Sequence, residues 1–185
     1  MDYQIFCSLI LNLSATIDLN PLFSFAIAPS STEQTIMSNL YKIGTETRNK
    51  IKKFRTSTAR TDSIKALSIK IEPKPSYEII VDEDEQEELD EIEDLNELAE
   101  ILPDNSPRFV LTAYPTTTKD GFKQTPLVLV YWKPMTVVSQ EWKMLYAGAL
   151  EMIREECGTF KLIEVSSGLE DDSDVEELRE QLENC

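Results

Sequence analysis

A continuous apolar run followed closely by an amphipathic segment constrains the fold of this chain more than any other feature. The run, Leu127–Trp132, contains no polar residue, which is typical of a central strand buried on both faces. The segment after it predicts a long helix, because apolar residues recur every three or four positions: Val138, Trp142, Leu145, Ala149 and Met152. Gly158 follows as a C-terminal cap.

The other elements predict a single α+β domain with helices on both faces of a mixed, five-stranded sheet. Alternating apolar residues predict strands at 67–71, 77–81 and 109–113, and a short fifth strand is expected at 160–165. Further helices are predicted at 45–55, at 89–102 and after Ser173, where Ser173 and Glu176 form a capping box. The turn 119–121, with its glycine, predicts a hairpin before the central strand.

The first 36 residues differ in composition from the rest of the chain. They contain no Lys or Arg, so they lack the basic start of a secretory signal, although residues 9–15 form a weak apolar stretch. Met37 could itself be a start. We therefore predict that residues 1–36 are a disordered or artefactual N-terminal extension, and that the folded domain covers residues 37–185.

Charge is distributed in blocks along the chain, whose net charge is −16. Residues 37–74 carry ten basic and three acidic side chains, whereas residues 82–104 carry thirteen acids and no base. The last block, 162–185, carries nine acids against one base. Such a chain repels nucleic acid as a whole, and its polarised surface favours a protein partner.

The sequence does not contain the residues that several kinds of catalytic or metal site require. There is no histidine, so histidine-dependent catalysis and zinc ligation are excluded, and no glycine-rich phosphate loop exists. The acidic run resembles a calcium loop, but Glu87 stands where that loop requires glycine, which favours a solvated acidic helix. Cys157 is expected to be a small buried hydrophobe. We predict no enzyme activity, no metal site and no cofactor.

The basic segment 48–55 is open to more than one interpretation. It could be a solvated helix face, or it could bind nucleic acid, phosphoinositides or an acidic protein surface.

Four stretches of the sequence are informative in combination: 50–55 (KIKKFR), 102–110 (LPDNSPRFV), 143–148 (KMLYAG) and 160–165 (FKLIEV). Together they resemble the glia maturation factor family, within the actin-depolymerising factor homology (cofilin-like) superfamily. The likeness covers about residues 37–183, and the predicted element order also fits that fold. Cofilin-like members place a base where Glu141 stands and a serine–lysine stretch where 148–151 stands, so this departure implies weak or no direct actin binding.

The resemblance implies a non-enzymatic regulator that binds the actin-related protein 2/3 complex, detaches actin branches and inhibits nucleation. It implies two partner-binding surfaces. The first comprises the N-terminus and the long helix: Ser38, Asn39, Leu40, Lys143 and Met144. The second comprises the hairpin and the last helix: Lys119, Gly121, Lys123, Glu176 and Arg179. A monomer without a membrane span is expected in the cytoplasm at cortical actin, and also in the nucleus. The alternative is a cofilin-like protein that binds and severs actin filaments directly.

Overall fold

The computed structural model describes residues 40–159, 161–167, 169 and 171–184; the extension 1–36 lies outside them, as do Ser38 and Asn39. The strands, in chain order, are β1 (Lys42–Ile43), β2 (Lys65–Ile71), β3 (Glu78–Val81), β4 (Arg108–Ala113), β5 (Thr116–Thr117), β6 (Lys123–Gln124), β7 (Leu127–Trp132) and β8 (Lys161–Val165). The helices are α1 (Thr45–Ser57), α2 (Glu83–Leu89), α3 (Leu95–Ile101), α4 (Gln140–Cys157) and α5 (Asp172–Glu183).

The main sheet has six strands in the order β1-β3-β2-β4-β7-β8. Its outer pairs, β1 with β3 and β7 with β8, are parallel, and the inner pairs are antiparallel, so the sheet is mixed as predicted. All five predicted strands are present. The sixth, β1, was missed because two residues are too few to show an alternating pattern.

Helices cover both faces of the sheet, which confirms the predicted layers. On one face α1 and α4 pack through Ile51, Tyr146 and Ile153. On the other face α2, α3 and α5 pack through Leu89, Leu98 and Leu178. The strand β7 lies between these two cores, and every residue from Val128 onward in it is buried. Its unbroken apolar run is therefore explained by its central position.

The predicted single helix at 89–102 is wrong, because two short helices occupy this region. Helix α2 begins earlier, at Glu83, and α3 begins at Leu95. The Asp94 carboxylate accepts a 2.6 Å hydrogen bond from the Leu95 N–H, which caps a new helix start in the middle of the predicted stripe. Ile92 is still buried, since the connecting loop holds it against the same core.

Two predicted helix starts also need correction. Val138 is 91% exposed and precedes α4, whose N-cap is Ser139. The capping box at Ser173 does not form, because α5 begins at Asp172 and its N-cap, Asp171, makes no side-chain cap bond. Gly158, by contrast, ends α4 in the left-handed conformation with φ +62°, as predicted.

The predicted turn at 119–121 forms the tip of a separate hairpin. Strands β5 and β6 pair only with each other, and they project beyond the antiparallel pair β4–β7. Gly121 has φ +83°, a backbone conformation that favours glycine.

A buried ion cluster anchors α2 to the sheet. The Asp82 carboxylate, only 1% exposed, lies 2.7 Å from Lys70 Nζ and 3.0 Å from Arg108 Nη2. Burial would raise the pKa of Asp82, but Lys70 and Arg108 outweigh it and hold that pKa below its usual range. The first carboxylate of the calcium-like run is thus occupied by two cations of the chain itself.

Candidate functional site

The start of the described chain lies against the middle of α4. The hydroxyl of buried Tyr41 donates a 2.8 Å hydrogen bond to the carbonyl oxygen of Leu145. Leu40, the first described residue, is 38% exposed and precedes this anchor directly. The structure therefore brings Leu40 close to the helix that carries Lys143 and Met144, as the first predicted surface requires.

Lys143 and Met144 point away from the core, because the inward positions of α4 belong to Leu145 and Tyr146. Met144 is 63% exposed, and Lys143 is exposed without an ion pair among the described residues. An exposed cation beside a flexible apolar side chain offers an orienting charge and a contact that can adapt to a partner. We define Leu40, Lys143 and Met144 as the long-helix surface.

Glu141, in the first turn of α4, is held in an ion pair. Its Oε1 lies 2.6 Å from Lys74 Nζ and accepts a 3.2 Å hydrogen bond from the Tyr77 hydroxyl. The bond to Lys74 lowers the pKa of Glu141, so this carboxylate is charged at neutral pH. Lys74 therefore neutralises the charge of Glu141 at the edge of the long-helix surface. A basic residue at position 141 would instead have presented a free cation there.

A shallow groove of about 430 Å³ borders the long-helix surface. Lys143, Ala147 and Leu150 of α4 form one wall. Tyr131 and the loop after β7 form the other wall, with Pro134 and Met135. The wall residues are mostly apolar, so the groove extends the apolar contact area available beside Lys143.

The hairpin β5–β6 forms the core of the second predicted surface. Lys119, Gly121 and Lys123 are all exposed, and Lys123 Nζ lies 3.0 Å from Asp62 Oδ1. Phe122 lies between them and is 72% exposed. An aromatic side chain in water, flanked by two lysines, is a typical anchor for a protein partner.

The last helix meets the base of this hairpin. Arg179 Nη2 lies 3.3 Å from Asp94 Oδ1, and Arg179 Nε lies 3.8 Å from Glu176 Oε2. Tyr114, which follows β4 and precedes the hairpin, has its pKa raised by burial and by nearby Glu183. Glu176 and Arg179 therefore lie near the hairpin base, and Glu176 pairs with Arg179 instead of closing a capping box.

The sequence analysis missed two exposed apolar residues, Phe122 after the hairpin turn and Met135 in the loop after β7. Both lie outside helices and long strands, where no periodic pattern marks an apolar residue as buried or exposed. The one available signal was their position: a large apolar residue inside a polar turn has no neighbouring stripe to bury it. Val138, predicted as the first residue of the buried stripe, is exposed because α4 begins only after Ser139.

The one cysteine among the described residues, Cys157, is unsuited to nucleophilic chemistry. Cys157 is fully buried, and burial raises the pKa of its thiol to about 12, so it is protonated and inert. Within the described ranges, no helix combines the length and apolar character needed to cross a membrane. The geometry offers two exposed surfaces that suit a macromolecular partner.

Comparisons with known proteins agree with this description. Residues 41–183 match the family of cofilin/tropomyosin-type actin-binding proteins. The chain is 99% identical over 149 residues to Protein AIM7 of Saccharomyces cerevisiae, which covers 80% of this chain and all of that protein. It is 30% identical to the glia maturation factor of Caenorhabditis elegans, with a TM-score of 0.61, covering 75% of this chain and 94% of that one.

Another solved structure shares the fold at lower identity. Actin depolymerization factor 2 of Plasmodium berghei is 20% identical, with a TM-score of 0.61, covering 78% of this chain and 97% of that one. At this identity the likeness concerns the fold alone.

Proposed function

This chain belongs to the cofilin/tropomyosin-type actin-binding family and is of the glia maturation factor type, and from that premise we propose that it regulates branched actin without enzyme chemistry. It binds the actin-related protein 2/3 complex, promotes release of branches and inhibits new nucleation. With that function we place it in the cytoplasm at cortical actin, and also in the nucleus.

The ion pair between Glu141 and Lys74, at the edge of the long-helix surface, is the observation that supports this proposal. Glu141 and Lys74 neutralise each other at 2.6 Å, in the turn where the resemblance to cofilin-like members calls for a base. Leu150 lies half-buried in the groove wall, so it adds no charge there. A surface with one free cation, Lys143, is poorly matched to the strongly acidic partner that actin presents.

The proposed mechanism requires binding energy only. A protein that binds one conformation of a complex more tightly than another shifts the population toward the first. Two separate surfaces, one on α4 and one on the hairpin with α5, can contact two subunits at once. Binding across a junction then favours the conformation in which nucleation is blocked or the branch has separated.

The second candidate function is direct binding and severing of actin filaments. Exposed Lys143 and Met144 favour it, because both remain free to contact a partner at the start of α4. Free Phe122 on the hairpin favours either function.

Two assays on the same preparation separate the candidates. In the first, fluorescent branched networks made with purified actin and actin-related protein 2/3 complex are watched by microscopy, and we expect branches to detach from intact mother filaments. In the second, unbranched filaments are sedimented with the protein, and we expect little of it in the pellet. Fragmented unbranched filaments together with strong cosedimentation would support the severing function and refute the proposal.

A further inference from the structure

Cations on α1 and in the turn after it make no ion pair with the part of the chain that the structure describes. Thr47 and Ile51 turn inward and are buried. Lys52, Lys53 and Arg55 are exposed, as is Arg60 in the turn that follows, and none of these four makes an ion pair among the described residues. We call these four residues the α1 basic face; at about 100° per residue, the three on the helix spread over roughly 160° of its circumference.

The neighbouring cations of the same helix are neutralised, which sets the α1 basic face apart. Lys50 Nζ lies 3.0 Å from Glu46 and 2.5 Å from Glu83. Arg48 Nε lies 3.3 Å from Glu156. The chain has 34 acidic and only 18 basic side chains, so partners for more cations are plentiful in the sequence. Four adjacent cations nevertheless remain open to solvent.

We infer that the α1 basic face is a docking surface for an acidic segment of another protein. The inference does not rest on the proposed function, because α1 lies outside both surfaces described above. Charge complementarity carries it: carboxylates of an extended acidic segment would meet two ammonium groups and two guanidinium groups. An arginine fork can hold a carboxylate through two parallel hydrogen bonds, so Arg55 and Arg60 would fix the position of the segment.

Arg55 is positioned for this role by the end of α4. Its guanidinium lies directly over Gly158, so close that a Cβ added there would be 2.8 Å from Nη2. A side chain supported in this way loses less conformational freedom on binding than a fully mobile one.

An anionic membrane fits the α1 basic face less well. Helices that bind a membrane surface insert an apolar side into it, but the apolar side of α1 packs on the sheet. Phe54 is only partly buried, yet it packs against the core, and none of the large exposed apolar residues lies on α1. The carboxylate of Glu83, the first residue of α2, also reaches Lys50 of α1, so an anionic surface that approaches this side of α1 would meet a negative charge.

Nucleic acid fits less well for a different reason. A duplex carries about one charge per 1.7 Å, so a chain of net charge −16 repels it over a long range. Single strands are held by stacking on exposed aromatic side chains, and α1 presents none. An acidic segment carries about one charge per 3.4 Å, roughly half the charge density of a duplex, and it can bend around the helix, so the rest of the molecule repels it less.

The test measures binding of a fluorescein-labelled decapeptide of alternating Asp and Glu to the full chain by fluorescence anisotropy. A peptide of alternating Asn and Gln serves as the neutral probe. The variant Lys52→Gln/Lys53→Gln removes two charges, and Lys52→Arg/Lys53→Arg keeps them as the matched control. Circular dichroism melting checks that both variants are folded.

We expect the acidic peptide to bind and the neutral peptide not to bind. The Gln variant should bind the acidic peptide roughly tenfold more weakly, since two charge-assisted contacts are lost, while the Arg variant binds as the parent does. Binding should weaken as salt rises from about 50 to about 300 mM, because exposed charges are screened. Equal binding by the parent and the Gln variant would overturn the inference. It would equally be overturned if phosphatidylserine vesicles or a single-stranded oligonucleotide bound the α1 basic face while the acidic peptide did not.

Discussion

At the scale of single residues, Glu141 and Asp82 show that a carboxylate's role depends on the cations beside it. Glu141 is exposed, and its pairing with Lys74 changes the charge that a partner meets. Asp82 is buried between Lys70 and Arg108, so it acts on stability instead. Both belong to a sequence with 34 acids, in which nothing but the structure distinguishes them from solvated neighbours.

The buried ion cluster makes a pH-dependent contribution to stability. Because the folded-state pKa of Asp82 is held below its ordinary value of 3.8, its contribution is fully present above about pH 4 and is lost as the pH falls through the folded-state pKa. At pH 7, Asp82→Asn should lower the free energy of unfolding by about 2 kcal/mol, since Lys70 and Arg108 lose the buried carboxylate that they share and keep only Asp84 and Glu85 as counter-ions.

Urea unfolding at pH 7 and at about pH 3 measures this difference between parent and variant. It should shrink at the lower pH, because the stabilisation by the Asp82 charge is lost as the pH falls through the folded-state pKa. The same difference at both pH values would show that the cluster acts through packing alone.

The glycine that ends α4 makes a second contribution that can be measured. Gly158→Ala places a side chain in the left-handed region at φ +62° and forces the Arg55 guanidinium to move. We expect it to lower the free energy of unfolding by about 1 kcal/mol or more. Gly121→Ala is the matched control, because its φ is +83° but nothing lies within 4 Å of the added Cβ.

Urea unfolding of both variants gives the comparison. Both variants should be destabilised by a comparable amount, since each places a side chain at positive φ, and the Arg55 guanidinium, at the free end of a flexible side chain, can move away from the added Cβ. A clearly larger loss for Gly158→Ala would show that Arg55 is held in place over Gly158.

At the scale of elements, the long strands and helices could be predicted from periodicity, whereas their ends could not. The stripe of α4 and the apolar run of β7 each repeat often enough to fix the type of element. The two-residue strand β1 has no period to detect, and the break between α2 and α3 depends on one cap by Asp94.

Some features of the candidate surfaces could likewise be predicted from the sequence, and others could not. Exposure of Lys143 and Met144 follows from helix geometry once the inward stripe is known. The ion pairs of Glu141 with Lys74 and of Arg179 with Asp94 do not follow from helix geometry, because the two residues of each pair are far apart in sequence. Such pairs arise only when the elements are packed together.

Helix α4 carries a prediction about partner choice. The double substitution Glu141→Lys/Leu150→Lys should raise affinity for actin filaments by about tenfold, since two cations would face an acidic partner. Lysine at position 150 can keep its alkyl stem in the groove wall while its charge reaches water. Actin cosedimentation measures the change.

Two controls accompany this measurement. Lys74→Gln removes the counter-ion of Glu141 without adding a cation, so it should leave actin affinity low. Thermal melting checks the double variant, because Leu150 also packs against the core. If the double variant sediments with actin no better than the parent, charge at α4 does not determine the partner.

At the scale of the whole molecule, one sheet separates two differently charged sides. The helices of one side, α2, α3 and α5, carry most of the acidic run and the acidic C-terminal block. The other side carries α1, whose Lys52, Lys53 and Arg55 make no ion pair with any residue that the structure describes. A field polarised in this way orients a charged partner before contact.

The domain boundary remains a prediction at this scale, and deletion tests it. A chain that starts at Met37 should unfold at the same temperature as the full chain, within about 2 °C, if residues 1–36 add nothing to the folded domain. Differential scanning calorimetry of the two chains, at equal concentration and salt, measures this. A clearly lower melting temperature for the shorter chain would place residues 1–36 in the fold.

The central claim is that the long-helix surface binds the actin-related protein 2/3 complex, and one measurement tests it most directly. The parent and the variant Lys143→Ala/Met144→Ala are titrated with the purified complex, with thermal melting as the control for folding. We predict binding by the parent and a loss of roughly 2 kcal/mol or more in the variant, about thirtyfold, with an unchanged melting temperature. Unchanged binding of the variant, or no binding by the parent, would contradict the account.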